Sequence, residues 1–290
     1  MQLQTDGGPG RSLNLALQRI AEISSIPSAA FRIMQAVNDP RSNATDLAEA
    51  VAKDPAMSAR IIRTVNSAAY GLRTKVRRLA DAVTQLGFRR IRNLALATLV
   101  CDLFESYHSF GAYNRESLWQ HMVGVGVGAR LMTARQGEVD PDEAFLAGLL
   151  HDIGIILEDQ YLHEQFVEIV TKGAPTDSFL DLETRHLGFD HTQLGARVSL
   201  EWKFPDAVTE AIAFHHAAEG YDGPSRPIVC AVAAANWVCT HAGIRSVNLG
   251  SIPAPTPVVL ATIGLTENDL VVFADDIQAE LTAKDLLLVV

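Results

Sequence analysis

Apolar side chains recur at intervals of three and four along most of the chain, the period of a helix with one face in a core. Ile61, Ile62 and Val65 mark one such stretch, and Leu94, Leu96, Leu99 and Val100 mark another. Start signals punctuate the pattern. Asp140-Pro141-Asp142-Glu143 supplies an N-cap aspartate, a proline at the first helical position and an acid at the third. Asp54-Pro55 opens a helix in the same way, and Thr266-Glu267-Asn268-Asp269 does so with fewer signals. Strand-like alternation is missing, as is hairpin chemistry apart from Asp222-Gly223-Pro224, which reads as a loop. The pattern predicts an all-α fold.

Spacing of the turns divides the chain. From Leu13 to Tyr107 short helical segments are joined by turns containing Pro, Asn and Gly, and Ser106 to Asn114 reads as a connection. Longer helices are predicted from Glu116 onward. The Gly- and Pro-containing start, 1–12, reads as a disordered lead-in. Val247 to Pro257, with Gly250, Pro253 and Pro255, reads as a loop before a terminal helix pair. The expected units are 1–12, 13–114, 115–245 and 246–290.

Composition narrows the function classes. With 290 residues, 48% hydrophobic and 20% charged, the chain is long enough to bury a sizeable core. No apolar run approaches the ~18 residues of a membrane span, and the longest, Pro227 to Cys239, is interrupted by Asn236. The N-terminus has no basic region followed by an apolar one, so no secretory signal is expected. Cys101, Cys230 and Cys239 form no C-x-x-C pair and read as reduced core residues of a cytoplasmic protein. A net charge of -10 argues against general binding to nucleic acid or anionic membranes. The charge is uneven, however: Arg60 to Arg92 holds nine basic residues and one acid, Asp81. Within it Arg73, Arg77, Arg78, Arg89 and Arg90 are candidates to grip an anion, such as a nucleotide or the acidic face of a partner protein. The same residues equally suit a solvated helix surface, and Arg89 and Arg90 suit a bridge between the two halves.

Candidate chemistry concentrates in the second half, which has eight of the nine histidines. The apolar run Ala144 to Leu150 ends on His151-Asp152, placing an imidazole and a carboxylate at the edge of a core. Burial of such groups is costly unless something pairs with them. His191 and His215-His216 also fall near predicted helix ends. Imidazoles with a carboxylate suit first-row ions such as Fe, Mn, Zn or Co better than Ca or Mg. A nucleophile elbow, a phosphate loop and a dinucleotide fingerprint are all absent. Gly124, Gly126 and Gly128 follow no strand, so they predict close helix packing beside His121 rather than a nucleotide turn.

His121, then Gly148 to Gly154 with His151-Asp152, then His191 to Gly195, then His215-His216 resembles the HD superfamily of metal-dependent phosphohydrolases. Ile26-Pro27, Asp54 to Arg60, Val65 to Gly71, Ala82 to Gly87 and Ala144 to Gly154 together resemble the HDOD (HD-related output domain) family, over about Ile20 to His216. The resemblance implies an N-terminal helical subdomain packed on an HD-like helical subdomain. It also implies a bacterial signal-transduction output module, acting through a signalling protein partner or a ligand. A metal-dependent phosphohydrolase acting on a nucleotide or cyclic di-nucleotide is the alternative.

The resemblance further implies a metal set: His121, His151, Asp152, His191, His215, His216 and, through its amide oxygen, Asn236, for a divalent ion such as Fe, Mn or Zn. Were the chain an enzyme, Asp152 would be its catalytic candidate. Three positions depart from the catalytic pattern. Asn236, in Ala234-Ala235-Asn236-Trp237, stands where catalytic HD enzymes have a ligating aspartate, so one anionic ligand becomes an amide. Ile155 stands where the cyclic di-GMP-hydrolysing HD-GYP branch has a phosphate-binding lysine, and Ser117 where it has a glutamate. Phosphodiester hydrolysis needs an activated nucleophile and cationic stabilisation of developing charge. The departures therefore imply a partly degenerate site rather than an efficient phosphodiesterase.

Overall fold

A computed structural model describes residues 9–23, 36, 41–67, 72, 74–104, 108–135, 137 and 139–283. Ile26-Pro27, 68–71 of the Val65 to Gly71 motif, and Arg73 lie outside the described residues. Helices dominate, as the apolar period predicts. In chain order they are α1 (Pro9–Ile23), α2 (Ala44–Ala52), α3 (Pro55–Val65), α4 (Leu79–Leu86), α5 (Phe88–Cys101), α6 (Arg115–Ala134), α7 (Pro141–Leu150) and α8 (Ile153–Tyr161). There follow α9 (His163–Lys172), α10 (Phe179–Leu187), α11 (His191–Glu201), α12 (Asp206–Phe214), α13 (Arg226–His241), α14 (Pro257–Thr262) and α15 (Glu267–Ala283).

The start signals act as their chemistry requires. Asp54 Oδ1 accepts the backbone N–H groups of Ala56 and Met57, each at 3.0 Å, with Pro55 opening α3. Asp140 Oδ1 accepts the Asp142 N–H at 3.0 Å ahead of α7. Each such cap is worth about 1 kcal/mol to its helix. Asp269 Oδ2 accepts the backbone N–H and hydroxyl of Thr266 at 2.8 and 2.6 Å before α15.

Two regions depart from the sequence expectation. The connection at 106–114 contains a short hairpin, β1 (Ser109–Phe110) paired antiparallel with β2 (Tyr113–Asn114). Its turn passes through Gly111 at φ 51°, beside the carbonyl of Val170, where a Cβ would have no room. Moreover, α1 begins at Pro9, inside the stretch read as a lead-in. Proline fits the first helical turn, and Ala16, Leu17 and Ile20 give the helix a face to bury on α8 and α11.

The apolar residues form two cores. A small one, with Leu47, Val51, Met57, Ile61 and Ile91 at its centre, is built by α2 to α4 and the first half of α5. The second half of α5, with Leu96, Ala97 and Val100, joins the large core of α1 and α6 to α15. Asn66 ties off α3: its side chain donates to Ile62 O and Val76 O and accepts the Val76 N–H, the last two at 2.8 Å.

Within the large core, α6 runs against α7, α13 and α15. Its glycines set the spacing. A Cβ on Gly126 would lie 2.9 Å from Phe145 O, and one on Gly148 would lie 2.7 Å from Val125 O, so the α6 and α7 backbones touch. Gly154 acts likewise for the next pair: a Cβ there would fall 2.0 Å from His191 O. Only glycine lets the start of α8 meet the start of α11, and that contact brings His191 beside His151-Asp152.

Candidate metal centre

Helix ends deliver the candidate ligands to one place. His121 projects from the middle of α6, and His151 and Asp152 form the tight junction between α7 and α8. His191 is the first residue of α11, and His215 and His216 follow directly on α12. His121, His151, Asp152, His191 and His215 are all buried. Asp152 lies at the centre. Its Oδ2 is 3.3 Å from His151 Nε2 and 3.6 Å from His121 Nε2. Its Oδ1 is 3.4 Å from both His191 Nε2 and His215 Nε2. Two ligand sets result, sharing the carboxylate: His121, His151 and Asp152 on one side, and Asp152, His191, His215 and His216 on the other.

Hydrogen bonds on the outer nitrogens fix the tautomers. His121 Nδ1 lies 2.8 Å from Ile244 O, His151 Nδ1 2.7 Å from Gly148 O, and His215 Nδ1 3.0 Å from Ile212 O. His191 Nδ1 lies 2.9 and 3.0 Å from the two carboxylate oxygens of Glu183. Carbonyls and carboxylates only accept, so each Nδ1 carries the proton, and in the neutral ring each Nε2 presents a lone pair inward. Among the described residues, none of these four Nε2 atoms, nor Asp152 Oδ1, has a hydrogen-bond partner. Unpartnered nitrogens thus face a carboxylate in a buried cluster, an arrangement that costs free energy unless a cation stands among them.

Protonating the histidines is the other way to supply positive charge, and burial opposes it. His121 is pushed down to about 4 by burial, which the nearby Asp152 offsets only in part. Burial also lowers His215, and it takes His216, beside His215, well below the ordinary value. Burial alone would raise the Asp152 carboxyl, but the surrounding imidazoles, His151 foremost, outweigh it and hold the group well below the carboxylate range. A carboxylate among imidazoles is a donor set suited to a borderline first-row ion, so the cluster could hold a metal.

Two cavities open on the centre. The inner one, of about 70 Å³, is lined by Asp152, Ile155, His191, His216, Asn236 and Arg245 among others. The outer, of about 540 Å³, lies beyond His215 and His216 and is walled by Ala218, Ala233, Pro253 and Val259. Asn236 is buried, and its Oδ1 accepts the Thr240 hydroxyl at 3.3 Å. Ile155 forms an apolar wall, and Ser117 sits in the first turn of α6, its N–H held by Asn114 Oδ1 at 2.9 Å.

The basic segment is elsewhere. Arg89 lies 4.0 Å from Asp140, Arg90 2.5 Å from Asp142 and Arg92 3.8 Å from Glu143, joining α5 to the start of α7 across the two cores. Arg78 pairs with Asp81 at 2.9 Å, and Arg77 is exposed. None of these arginines lines either cavity.

Three functional candidates escaped the sequence reading. Glu183 holds His191 from behind, and Glu158, on α8, lies against Glu183. Both are fully buried, and burial first, then their mutual charge, pushes Glu158 well above the carboxylate range; burial raises Glu183 in the same direction. An acid placed directly after the apolar run Ile153 to Leu157 was the available signal for Glu158. Arg245 is the third. Its guanidinium donates to Gly250 O, its buried Nε has no partner among the described residues, and it supplies the inner cavity with a cation. The carbonyl before it, that of Ile244, is the one that orients His121.

Comparison with known proteins agrees with this architecture. The HDOD domain model matches residues 23–218, well over half of the chain. An HDOD domain protein of unknown function from Geobacter sulfurreducens is 25% identical with a TM-score of 0.71, covering 94% of this chain and 95% of that one. A provisionally assigned phosphohydrolase from Shewanella amazonensis SB2B is 24% identical with a TM-score of 0.69, covering 91% and 93%. A provisionally assigned signal transduction protein from Marinobacter aquaeolei VT8 is 24% identical with a TM-score of 0.71, covering 94% and 64%; these last two likenesses carry the fold. An uncharacterized protein of Treponema pallidum (strain Nichols) is 25% identical over 224 residues, 75% of this chain but 42% of that protein, so the chain spans less than half of its length.

Proposed function

The chain belongs to the HDOD family, and on that premise we propose that it is a signal-transduction output module whose His/Asp centre binds a divalent metal ion and which acts by binding a ligand or a partner protein. One observation carries the metal reading: four inward Nε2 atoms surround Asp152 at 3.3–3.6 Å, buried and without a hydrogen-bond partner among the described residues. His121, His151 and Asp152 would hold one ion, and Asp152, His191, His215 and His216 a second. Iron, manganese and zinc all suit this donor set. The expected result is metal retained by protein purified without chelators and lost from His151→Ala and Asp152→Ala. Metal-free wild-type protein that takes up none of the three ions contradicts the reading.

Arg245 favours a second reading, a metal-dependent phosphohydrolase. A bound divalent ion would supply Lewis acidity and activate water. The chain's own contribution would be to orient the ligand. Arg245 would bind an anionic group beside the ligand cluster, replacing the cation that Ile155 does not provide, and Asn236 would offer an amide to hydrogen-bond it. The outer cavity falls within the ~300–1,000 Å³ range of small-molecule sites. Turnover of nucleotides or cyclic di-nucleotides with added Mn or Fe, lost in Asp152→Ala and weakened in Arg245→Ala, would establish this reading; no turnover leaves the output-module reading.

A further inference from the structure

The two ligand sets are not equivalent, and the difference lies in what stands behind them. One set offers two imidazoles and the shared carboxylate; the other offers three imidazoles and the same carboxylate. His121, His151 and His215 are each oriented by a neutral backbone carbonyl. His191 alone is oriented by a carboxylate, and both oxygens of Glu183 face its Nδ1. Glu183 is fully buried on α10 and approaches His191 from the side opposite Asp152. A carboxylate behind a ligating imidazole fixes the ring and raises its basicity toward the metal.

From this arrangement we infer that Glu183 is a positioning residue that makes the His191, His215, His216 and Asp152 set the first to load, ahead of the His121, His151 and Asp152 set. The inference rests on the metal reading above and specifies the order within it. The asymmetry follows from the chain itself: the set with more imidazoles also has a buried carboxyl group seated behind one of its rings. Glu158, packed against Glu183, completes the support by closing the rear of Glu183 away from water.

The test is stepwise loading of the chelator-treated full chain with Co²⁺, with the first-equivalent affinity read by competition against a chromophoric chelator and the site read from the cobalt absorption spectrum. His191→Ala should weaken the first equivalent, whereas His121→Ala should leave it within about twofold and remove the second. Glu183→Gln keeps one oxygen acceptor but replaces the other oxygen facing His191 with an amide nitrogen, and should weaken the first equivalent about 10- to 100-fold and change its spectrum, with the melting temperature of the metal-free protein retained. First-equivalent affinity unchanged in Glu183→Gln, or loss of the first equivalent in His121→Ala but not in His191→Ala, would overturn the inference while leaving the metal reading intact. If Glu183→Gln does not fold, the comparison of the two histidine variants still decides the loading order. Wild-type protein that binds no Co²⁺ overturns both.

Discussion

The small core and the large core are made of the same helical material, yet they bury different chemistry. Around Leu47, Met57, Ile61 and Ile91 the interior is apolar, and the polar side chains at its border are small or neutral, such as Thr64 and Asn93. The large core encloses Arg115, His121, His151, Asp152, Glu158, Asp159, Glu183, His191 and His215. Buried ionisable groups are tolerated only where partners meet their needs. Some of these have such partners. Asp159 accepts from Arg115 Nε at 2.9 Å and from the Tyr113 hydroxyl at 3.0 Å, and these bonds pin α8 to the start of α6. Among the described residues Asp152 Oδ1 and the inward nitrogens of His121, His151, His191 and His215 have no hydrogen-bond partner, and the contrast separates a structural ion pair from a candidate metal centre within one core.

Breaking the structural pair should have the largest effect on folding. Arg115→Leu leaves Asp159 buried without its cation and is expected to cost about 3–5 kcal/mol, read by denaturant unfolding. An Arg115→Leu protein as stable as wild type would mean that Asp159 reaches water. Truncation in the apolar core should cost slightly less. Ile61→Ala is expected to destabilise by about 2–5 kcal/mol, while the metal content of the folded fraction stays at the wild-type level. Metal loss in Ile61→Ala would show that the two cores are energetically one.

The third prediction concerns pH. The pKa of His121 falls from 6.5 to about 4 on burial, so between those values the unfolded chain binds more protons than the folded one. Stability from this group is therefore present above 6.5 and lost as pH falls towards 4. In metal-free protein the stability difference between wild type and His121→Gln should shrink over that interval by up to about 3 kcal/mol. Because Glu158 and Glu183 shift in the opposite sense, the difference between the two proteins, rather than either curve alone, isolates His121. A difference that stays flat would place His121 in contact with solvent. The smallest effect belongs to the bridge between the cores: Arg90→Ala removes a half-exposed pair with Asp142 and should cost less than about 1 kcal/mol. A larger loss would make that bridge a principal contact between the cores.

Local signals made much of this legible in the sequence. Aspartate caps at 54 and 140 mark α3 and α7 because capping depends on a few neighbouring residues. His151-Asp152 stands out because an imidazole and a carboxylate end an apolar run, His121, His191, His215 and His216 because they follow the order of the family motifs, and of the glycines read as close packing, Gly126 meets the backbone at Phe145. What escaped depends on contacts distant in sequence. Glu183 and Arg245 look like surface residues until α10 and the loop after α13 fold over the centre, and only tertiary packing makes one a support for His191 and the other a cation in the cavity. The hairpin at 109–114 was hidden for the same reason: two-residue strands have no period, and Tyr113 is fixed by Val247 and Phe166 across the fold.

Long-range ¹H–¹⁵N NMR of the histidine rings, recorded on metal-free and Zn²⁺-loaded protein, tests the metal centre most directly. The account predicts that His121, His151, His191 and His215 of the metal-free protein carry the proton on Nδ1, with Nε2 bare, and that the Nε2 resonances of these residues shift on Zn²⁺ addition while exposed His241 does not. Nε2 atoms already protonated in the metal-free protein and unmoved by Zn²⁺ would contradict it, since the inward lone pairs on which the centre rests would not exist.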